Sequence, residues 1–127
     1  MKQIIRTHLA PKVIGTYSQA VKAGNTVYIS GQIPLVTETM ELISTDIRDQ
    51  IKQVFENLSQ ITEAAGGNLS EIVRLTIYLT DITHFQSVNE IMSEYFEEPY
   101  PARVLIGVAA LPKQSQVEVD AIMVLSD

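Results

Sequence analysis

The segment 101–122 contains charged residues in an unusual setting. Arg103 opens an apolar run that reaches Leu111, and Glu118 and Asp120 then alternate with valines. An arginine presents a planar fork of N–H donors that meets a carboxylate with two parallel hydrogen bonds. A glutamate can hold a water molecule and accept its proton. Arg103 and Glu118 therefore indicate a site that holds a small carboxylate-bearing molecule and a water.

The same residues also have an ordinary structural interpretation. An arginine at the start of a strand commonly lies at the surface, with its aliphatic stem on apolar neighbours. An acidic residue in a strand usually faces solvent. From the residues alone, both interpretations of Arg103 and Glu118 stay open.

Composition and charge limit the class of protein. The chain has 127 residues, no cysteine and a formal net charge of −6. This size predicts a single domain over residues 1–127. An acidic chain without a basic cluster is a poor binder of nucleic acids, and no apolar run is long enough to span a membrane. A chain without disulfides or thiolate metal sites is typical of the cytoplasm.

The two histidines do not indicate a metal site. His8 and His84 stand far apart in the sequence and outside any metal-ligand spacing such as HxxxH. We therefore expect no bound metal.

Hydrophobic periodicity predicts strands and helices in the order β-β-β-α-β-α-β-β. Apolar residues at a spacing of three to four predict helices over about 45–65 and 83–96. Strands are expected near 2–7, 20–21, 26–31, 72–80, 103–110 and 117–122. This order predicts an α+β domain with two helices on one face of a mixed sheet.

The last two strands are expected to form a hairpin centred near Lys113. In that register Arg103 faces Met123 and Glu118 faces Val108, which separates the two charges by about 17 Å along the hairpin. An arginine side chain reaches less than half that distance. If both charges serve one ligand, they are expected to come from different subunits.

The strand that begins at Arg103 is apolar on both faces. Val104 and Ile106 lie on one face, and Leu105 lies on the other. Two helices can cover only one face of the sheet. We expect another copy of the chain to cover the other face in a closed homo-oligomer.

Three other residues are candidates for a pocket, each with an ordinary alternative. Tyr17 follows Gly15 in a loop and is either a surface tyrosine or the wall of a pocket. Gly31 either lets a backbone N–H approach a ligand or is a plain turn glycine. Asn89 lies beside the apolar stripe of the second helix, where it either caps a neighbouring carbonyl or hydrogen-bonds a substrate.

Taken together, these segments resemble the RidA/YjgF (Rid) family over essentially the whole chain. The resemblance lies in Ile14-Gly15-Thr16-Tyr17-Ser18-Gln19-Ala20, Ser30-Gly31-Gln32-Ile33-Pro34, Pro101-Ala102-Arg103, Val108-Ala109-Ala110-Leu111-Pro112-Lys113 and Val117-Glu118-Val119. It implies a chorismate-mutase-like subunit of the bacillus type, assembled as a barrel-like homotrimer with a site in each intersubunit cleft.

The resemblance also implies an activity. Members hydrolyse reactive 2-imino or enamine acids, such as 2-aminoacrylate, 2-iminopropanoate and 2-iminobutanoate, to 2-keto acids and ammonia. The resemblance implies no cofactor. It implies that the partners are the other subunits and small 2-imino and 2-keto acids. From the charge and hydropathy of the chain we expect no nucleic acid and no membrane as partners.

The resemblance also implies roles for individual residues at the positions that match the family. Arg103 matches the arginine that grips the substrate carboxylate, and Glu118 matches the glutamate that positions the hydrolytic water. The resemblance implies five substrate-binding residues, namely Tyr17, Ser30, Gly31, Asn89 and Leu105, the last through its backbone N–H.

The chain departs from the family pattern at a few positions. Thr16 stands where proline is usual, Val104 and Leu105 stand where Ser-Cys is common, and Asp120 stands where a second glutamate is common. These departures bear on substrate range more than on the reaction. The departures at Val104 and Leu105 keep open an alternative function, a regulatory protein that binds small carboxylates with little or no turnover. An RNA-directed activity is a third possibility, against which the net charge of −6 argues.

Overall fold

The computed structural model describes residues 1–126, and within them six strands form one sheet with two helices on one face. The strands are β1 (Lys2–Ile5), β2 (Ala20–Ala23), β3 (Thr26–Gln32), β4 (Ile72–Leu79), β5 (Ala102–Gly107) and β6 (Val117–Val124), and the helices are α1 (Ile47–Ala64) and α2 (Phe85–Tyr95). The predicted order β-β-β-α-β-α-β-β is confirmed. Neither helix within residues 1–126 has the length and apolar character needed to cross a membrane.

The sheet is mixed, as predicted. Its strands lie in the order β1-β2-β3-β6-β4-β5. Neighbouring strands run antiparallel except β4 and β5, which are parallel. A parallel pair needs a crossover connection, and α2 supplies it between β4 and β5.

The predicted hairpin between the last two strands is wrong. β4 lies between β5 and β6, so Arg103 faces Leu75 rather than Met123, and Glu118 faces Tyr78 rather than Val108. A tight hairpin needs a loop of two to five residues. The longer segment 108–116 instead crosses the end of β4 and lets β6 enter the centre of the sheet, where β3 and β4 both pair with it.

The core lies between the sheet and the two helices. Alternate residues of β6, namely Val117, Val119, Ala121 and Met123, are at most 3% exposed and face the helices. The buried stripe of α1 packs against them and includes Ile51, Val54, Phe55, Leu58 and Ile61. This alternation fixes which residues of each strand point away from the helices.

The other face of the sheet, called here the open face, is not covered by the chain's own helices. It carries apolar side chains that remain substantially exposed, among them Tyr28 at 51%, Ile106 at 40% and Val124 at 42%. Glu118 and Asp120 lie on the same face. Coverage of this face by another copy of the chain stays a prediction.

Candidate active site

Glu118 lies on the open face at the centre of the sheet. It pairs with Tyr78 of β4, and the flanking Val117 and Val119 point into the core. Burial raises the pKa of the Glu118 carboxyl above its ordinary value, and the negative charge of Asp120 raises this pKa further. A carboxylate with a raised pKa is a better proton acceptor near neutral pH.

Gly31 leaves the space that the Glu118 carboxylate occupies. The pairing of β3 with β6 is irregular between Ile29 and Gln32, so that the chain at Gly31 bends against Glu118. A Cβ atom at residue 31 would overlap Oε2 of Glu118. Gly31 therefore accommodates the close approach of the Glu118 side chain, a role that neither of the two sequence interpretations described.

Glu118, Tyr17, Ser30 and Gly31 line one pocket with a volume of about 530 Å³. Three of the predicted substrate-binding residues thus lie together with the predicted water-positioning glutamate. The rest of the lining consists of two lysines, two glutamines and apolar residues, namely Lys12, Lys113, Gln19, Gln32, Pro11, Val13, Ile14, Ile33, Leu35 and Pro112. The pocket combines an apolar wall with a carboxylate and two ammonium groups, a composition suited to a small organic acid.

Gln19 holds the loop that carries Tyr17. Its side chain is 3% exposed, and its Oε1 accepts a hydrogen bond from the Thr7 N–H at 2.7 Å. Its Nε2 donates to the carbonyl oxygens of Thr7 at 3.0 Å and Pro11 at 2.9 Å. The Tyr17 hydroxyl accepts from the Ile14 N–H at 3.2 Å within the same loop. Tyr17 is therefore a pocket wall whose position depends on the Gln19 amide.

Ser30 joins the same loop to β3. Its hydroxyl donates to the Ser18 carbonyl oxygen at 2.6 Å, and its backbone N–H donates to the Gln19 carbonyl oxygen at 2.9 Å. Because the hydroxyl proton is used in this way, Ser30 can offer a ligand only its acceptor lone pairs.

Arg103 lies on the opposite face of the sheet from Glu118. It pairs with the buried Leu75, whose side chain faces the helices. Nη1 of Arg103 donates to Oδ1 of Asn89 at 2.6 Å and contacts the sulfur of Met92 at 3.7 Å. Asn89 therefore orients the guanidinium, a role that neither sequence interpretation gave it. The remaining N–H donors can bind a carboxylate.

Arg103 and Asn89 line a second pocket, with a volume of about 360 Å³. Its other lining residues are Met92, Ser93, Tyr100 and Pro101.

The Leu105 side chain packs against the core, while its backbone N–H lies at an edge of the sheet. Successive N–H groups of a strand point to alternate sides. The Val108 N–H donates to the Leu79 carbonyl oxygen of β4. The N–H groups of Leu105 and Arg103 therefore point away from β4, at the edge near the guanidinium.

The predicted site residues thus form two groups within one chain. One group contains Glu118, Tyr17, Ser30 and Gly31, and the other contains Arg103, Asn89 and Leu105. The two groups lie on opposite faces of the sheet, so the side chains of Glu118 and Arg103 cannot meet around one small ligand in a single chain.

Tyr78, which pairs with Glu118 across the sheet, is a residue near the site that the sequence alone does not identify. Its hydroxyl donates to Oδ2 of Asp120 at 2.9 Å. This hydrogen bond, then burial, and then the charges of Asp120 and Glu118 raise the pKa of Tyr78. The sequence places Tyr78 on a strand, but its position beside Glu118 follows only from the pairing of β4 with β6.

The charged groups of the two pockets define what the site can do. One pocket offers a proton-accepting carboxylate and the other offers a guanidinium fork, a set that can bind an organic anion and activate a water. Within residues 1–126, no group of three or more His, Cys, Asp or Glu side chains could hold a metal ion.

The fold is a chorismate-mutase-like α+β subunit, and comparison with known proteins gives its family. The family model described as Endoribonuclease L-PSP matches residues 7–125. The chain belongs to this family, the RidA/YjgF family.

Relatives are similar over nearly their full length. A RutC family protein of Pyrococcus horikoshii is 49% identical over 122 residues, which cover 96% of this chain and 97% of that protein. A protein of Dermatophagoides farinae named 2-iminobutanoate/2-iminopropanoate deaminase is 45% identical over 124 residues, which cover 98% and 97%. The crystal structure of RidA from an Antarctic Psychrobacter is 50% identical, with a TM-score of 0.94 and coverage of 97% of this chain and 99% of that one.

Proposed function

We propose that this protein hydrolyses reactive 2-imino and enamine acids, such as 2-iminobutanoate, 2-iminopropanoate and 2-aminoacrylate, to 2-keto acids and ammonia. The placement of Glu118 carries the proposal, because a carboxylate with a raised pKa lines a pocket large enough for such an acid. A relative that is 45% identical bears the name of this activity.

The reaction needs no covalent nucleophile. The carbon of a protonated imine is already electrophilic, so a water held by Glu118 can attack it while the carboxylate accepts a proton from that water. The proton then passes to the nitrogen of the tetrahedral intermediate. The C–N bond breaks and ammonia leaves while the Glu118 carboxylate accepts the proton of the new hydroxyl group, so that the keto acid remains. Arg103 binds the substrate carboxylate through two N–H groups and so fixes the imine carbon near the water.

The site is proposed to form between subunits of a homotrimer, with Arg103 of one subunit beside Glu118 of the next. Their placement on opposite faces of the sheet supports a site built from two chains. The partly exposed apolar side chains of the open face support contact with another copy. In this proposal the active unit is one RidA-like domain over residues 1–127, located in the cytoplasm as its lack of cysteine suggests.

An RNA-cleaving activity, to which the name Endoribonuclease L-PSP refers, fits this chain poorly. The net charge is −6, and RNA binding depends on cationic contacts to phosphates. The Glu118 carboxylate at the wall of the larger pocket suits a cationic iminium.

A coupled assay tests the proposal. A dehydratase generates 2-aminoacrylate or 2-iminobutanoate, and keto-acid release is followed with and without the protein. We expect acceleration by the wild type, none by Arg103→Ala and a strongly reduced effect of Glu118→Ala. Binding of 2-keto acids by the wild type without any acceleration would contradict the proposal and favour a regulatory carboxylate-binding protein.

A further inference from the structure

Two carboxylates stand side by side on the open face of β6. Glu118 and Asp120 are separated by the buried Val119, so both point away from the helices. Across the sheet, Tyr78 pairs with Glu118 and Thr76 pairs with Asp120. The Tyr78 hydroxyl does not bind its direct partner but reaches diagonally to Oδ2 of Asp120 at 2.9 Å.

We propose that Asp120, fixed by Tyr78, is a positioning residue for the reaction and acts through Glu118. Its carboxylate, held in place by the phenol, makes the Glu118 carboxylate a stronger base toward the hydrolytic water. The inference rests on the proposed role of Glu118. In it Asp120 affects the reaction without contacting the substrate.

The hydrogen bond from Tyr78 fixes the Asp120 carboxylate beside Glu118. Two carboxylates on one face repel each other, and a donor that fixes one of them in place fixes the electric field that it exerts on the other. Tyr78 donates to Asp120, and its raised pKa keeps the phenol proton in place. The fixed Asp120 carboxylate acts on Glu118, whose pKa is raised first by burial and then by the charge of Asp120.

Other charged and titratable groups also surround Glu118. Lys12 and Tyr17 face it from the loop before β2, and Lys113 faces it from the segment between β5 and β6. Tyr28 of β3 and Arg74 of β4 lie further along the open face, where both pair with Ile122. All of these groups are the same in the wild type and in a variant at position 120, so a change in Glu118 between the two proteins reports on Asp120.

The test is a direct titration of the Glu118 carboxyl by ¹³C NMR, assigned with Glu118→Gln, together with the pH dependence of kcat/KM. In Asp120→Asn we expect the pKa of Glu118 to fall, because the neighbouring negative charge that raises it is removed. The acid limb of the rate profile should move to lower pH by the same amount. Asp120→Glu, which keeps the charge, should restore both values.

Tyr78→Phe provides a second, milder variant that removes only the hydroxyl. Without the phenol, the Asp120 carboxylate is no longer held beside Glu118, so the pKa of Glu118 should fall toward its value in Asp120→Asn. Glu94→Gln, which removes an exposed charge on α2, should leave the titration of Glu118 unchanged.

An identical Glu118 titration in wild type, Asp120→Asn and Tyr78→Phe would overturn the inference and leave the proposed function intact. The NMR titration does not depend on turnover. The proposed function fails independently if the wild-type protein does not accelerate imine hydrolysis.

Discussion

Arg103 and Glu118 lie on opposite faces of one sheet, with β4 between their strands. Leu75 pairs with Arg103 and faces the helices, while Tyr78 pairs with Glu118 and faces away from them. The two charges therefore belong to different pockets of the chain. A reaction that uses both requires the edge at β5 of one chain to meet the open face of another.

Arg103→Lys should weaken substrate binding although it keeps the positive charge. Lysine cannot form two parallel hydrogen bonds to a carboxylate. It also does not reproduce the hydrogen bond by which the Arg103 guanidinium is oriented on Asn89. We expect kcat/KM to fall about tenfold to 100-fold, chiefly through a higher KM. Steady-state kinetics on 2-iminobutanoate measure this change. Arg48→Lys, at the ion pair with Glu90 between the helices, is the matched control and should keep wild-type kinetics.

Gly31→Ala should reduce kcat by displacing the Glu118 carboxylate. The added Cβ overlaps Oε2 of Glu118, and the side chain must move away from the pocket. A loss of about tenfold or more is expected, since small misplacements of a catalytic group are costly. A double-mutant cycle with Glu118→Ala checks the cause, because Gly31→Ala should add little further loss once the carboxylate is absent. Equal losses in both backgrounds would show that Gly31 acts independently of Glu118.

Glu118→Gln should raise the free energy of unfolding at neutral pH. The folded pKa of Glu118 is raised by burial and by Asp120, so the folded state binds the proton more readily than the unfolded state does. The stability linked to that proton is fully present below the unfolded pKa and is lost as pH rises through the folded pKa. Urea unfolding should find the variant more stable than wild type at about pH 8 and little different at about pH 3. A constant difference at both pH values would contradict this account.

Gln19→Leu should destabilise the protein and disorder the wall of the larger pocket. The substitution leaves the backbone groups of Thr7 and Pro11 without their partner inside the protein. We expect a loss of about 2–3 kcal/mol in the free energy of unfolding, measured by urea titration. Gln86→Leu, at an exposed position of α2, should change stability far less. Comparable losses in the two variants would refute the role given to the Gln19 amide.

Hydrophobic periodicity predicted the elements of this fold but not their arrangement. The stripe of α1 and the alternation of β6 follow from local spacing and are confirmed. The neighbours of β5 do not follow from local spacing, because β5 is apolar on both faces and joins β4 through the α2 crossover. The assumption that strands adjacent in sequence also pair led to the wrong hairpin.

The site residues, like the strands, could be identified from the sequence more easily than their contacts could. The sequence indicated Arg103 and Glu118 by their unusual charges, and the family resemblance indicated Tyr17, Ser30, Gly31, Asn89 and Leu105. Local patterns could not show that the Gln19 amide holds the Tyr17 loop or that Tyr78 binds Asp120. Both contacts depend on register between segments that are distant in the chain.

Subunit mixing tests the central claim most directly. Arg103→Ala and Glu118→Gln variants, each inactive or nearly so alone, are unfolded together, mixed in equal amounts and refolded. If each site takes Arg103 from one subunit and Glu118 from the next, random assembly leaves about one quarter of the sites with both native residues. The mixture should therefore recover about a quarter of wild-type imine hydrolysis. A mixture no more active than the sum of the separate variants would contradict a site shared between subunits.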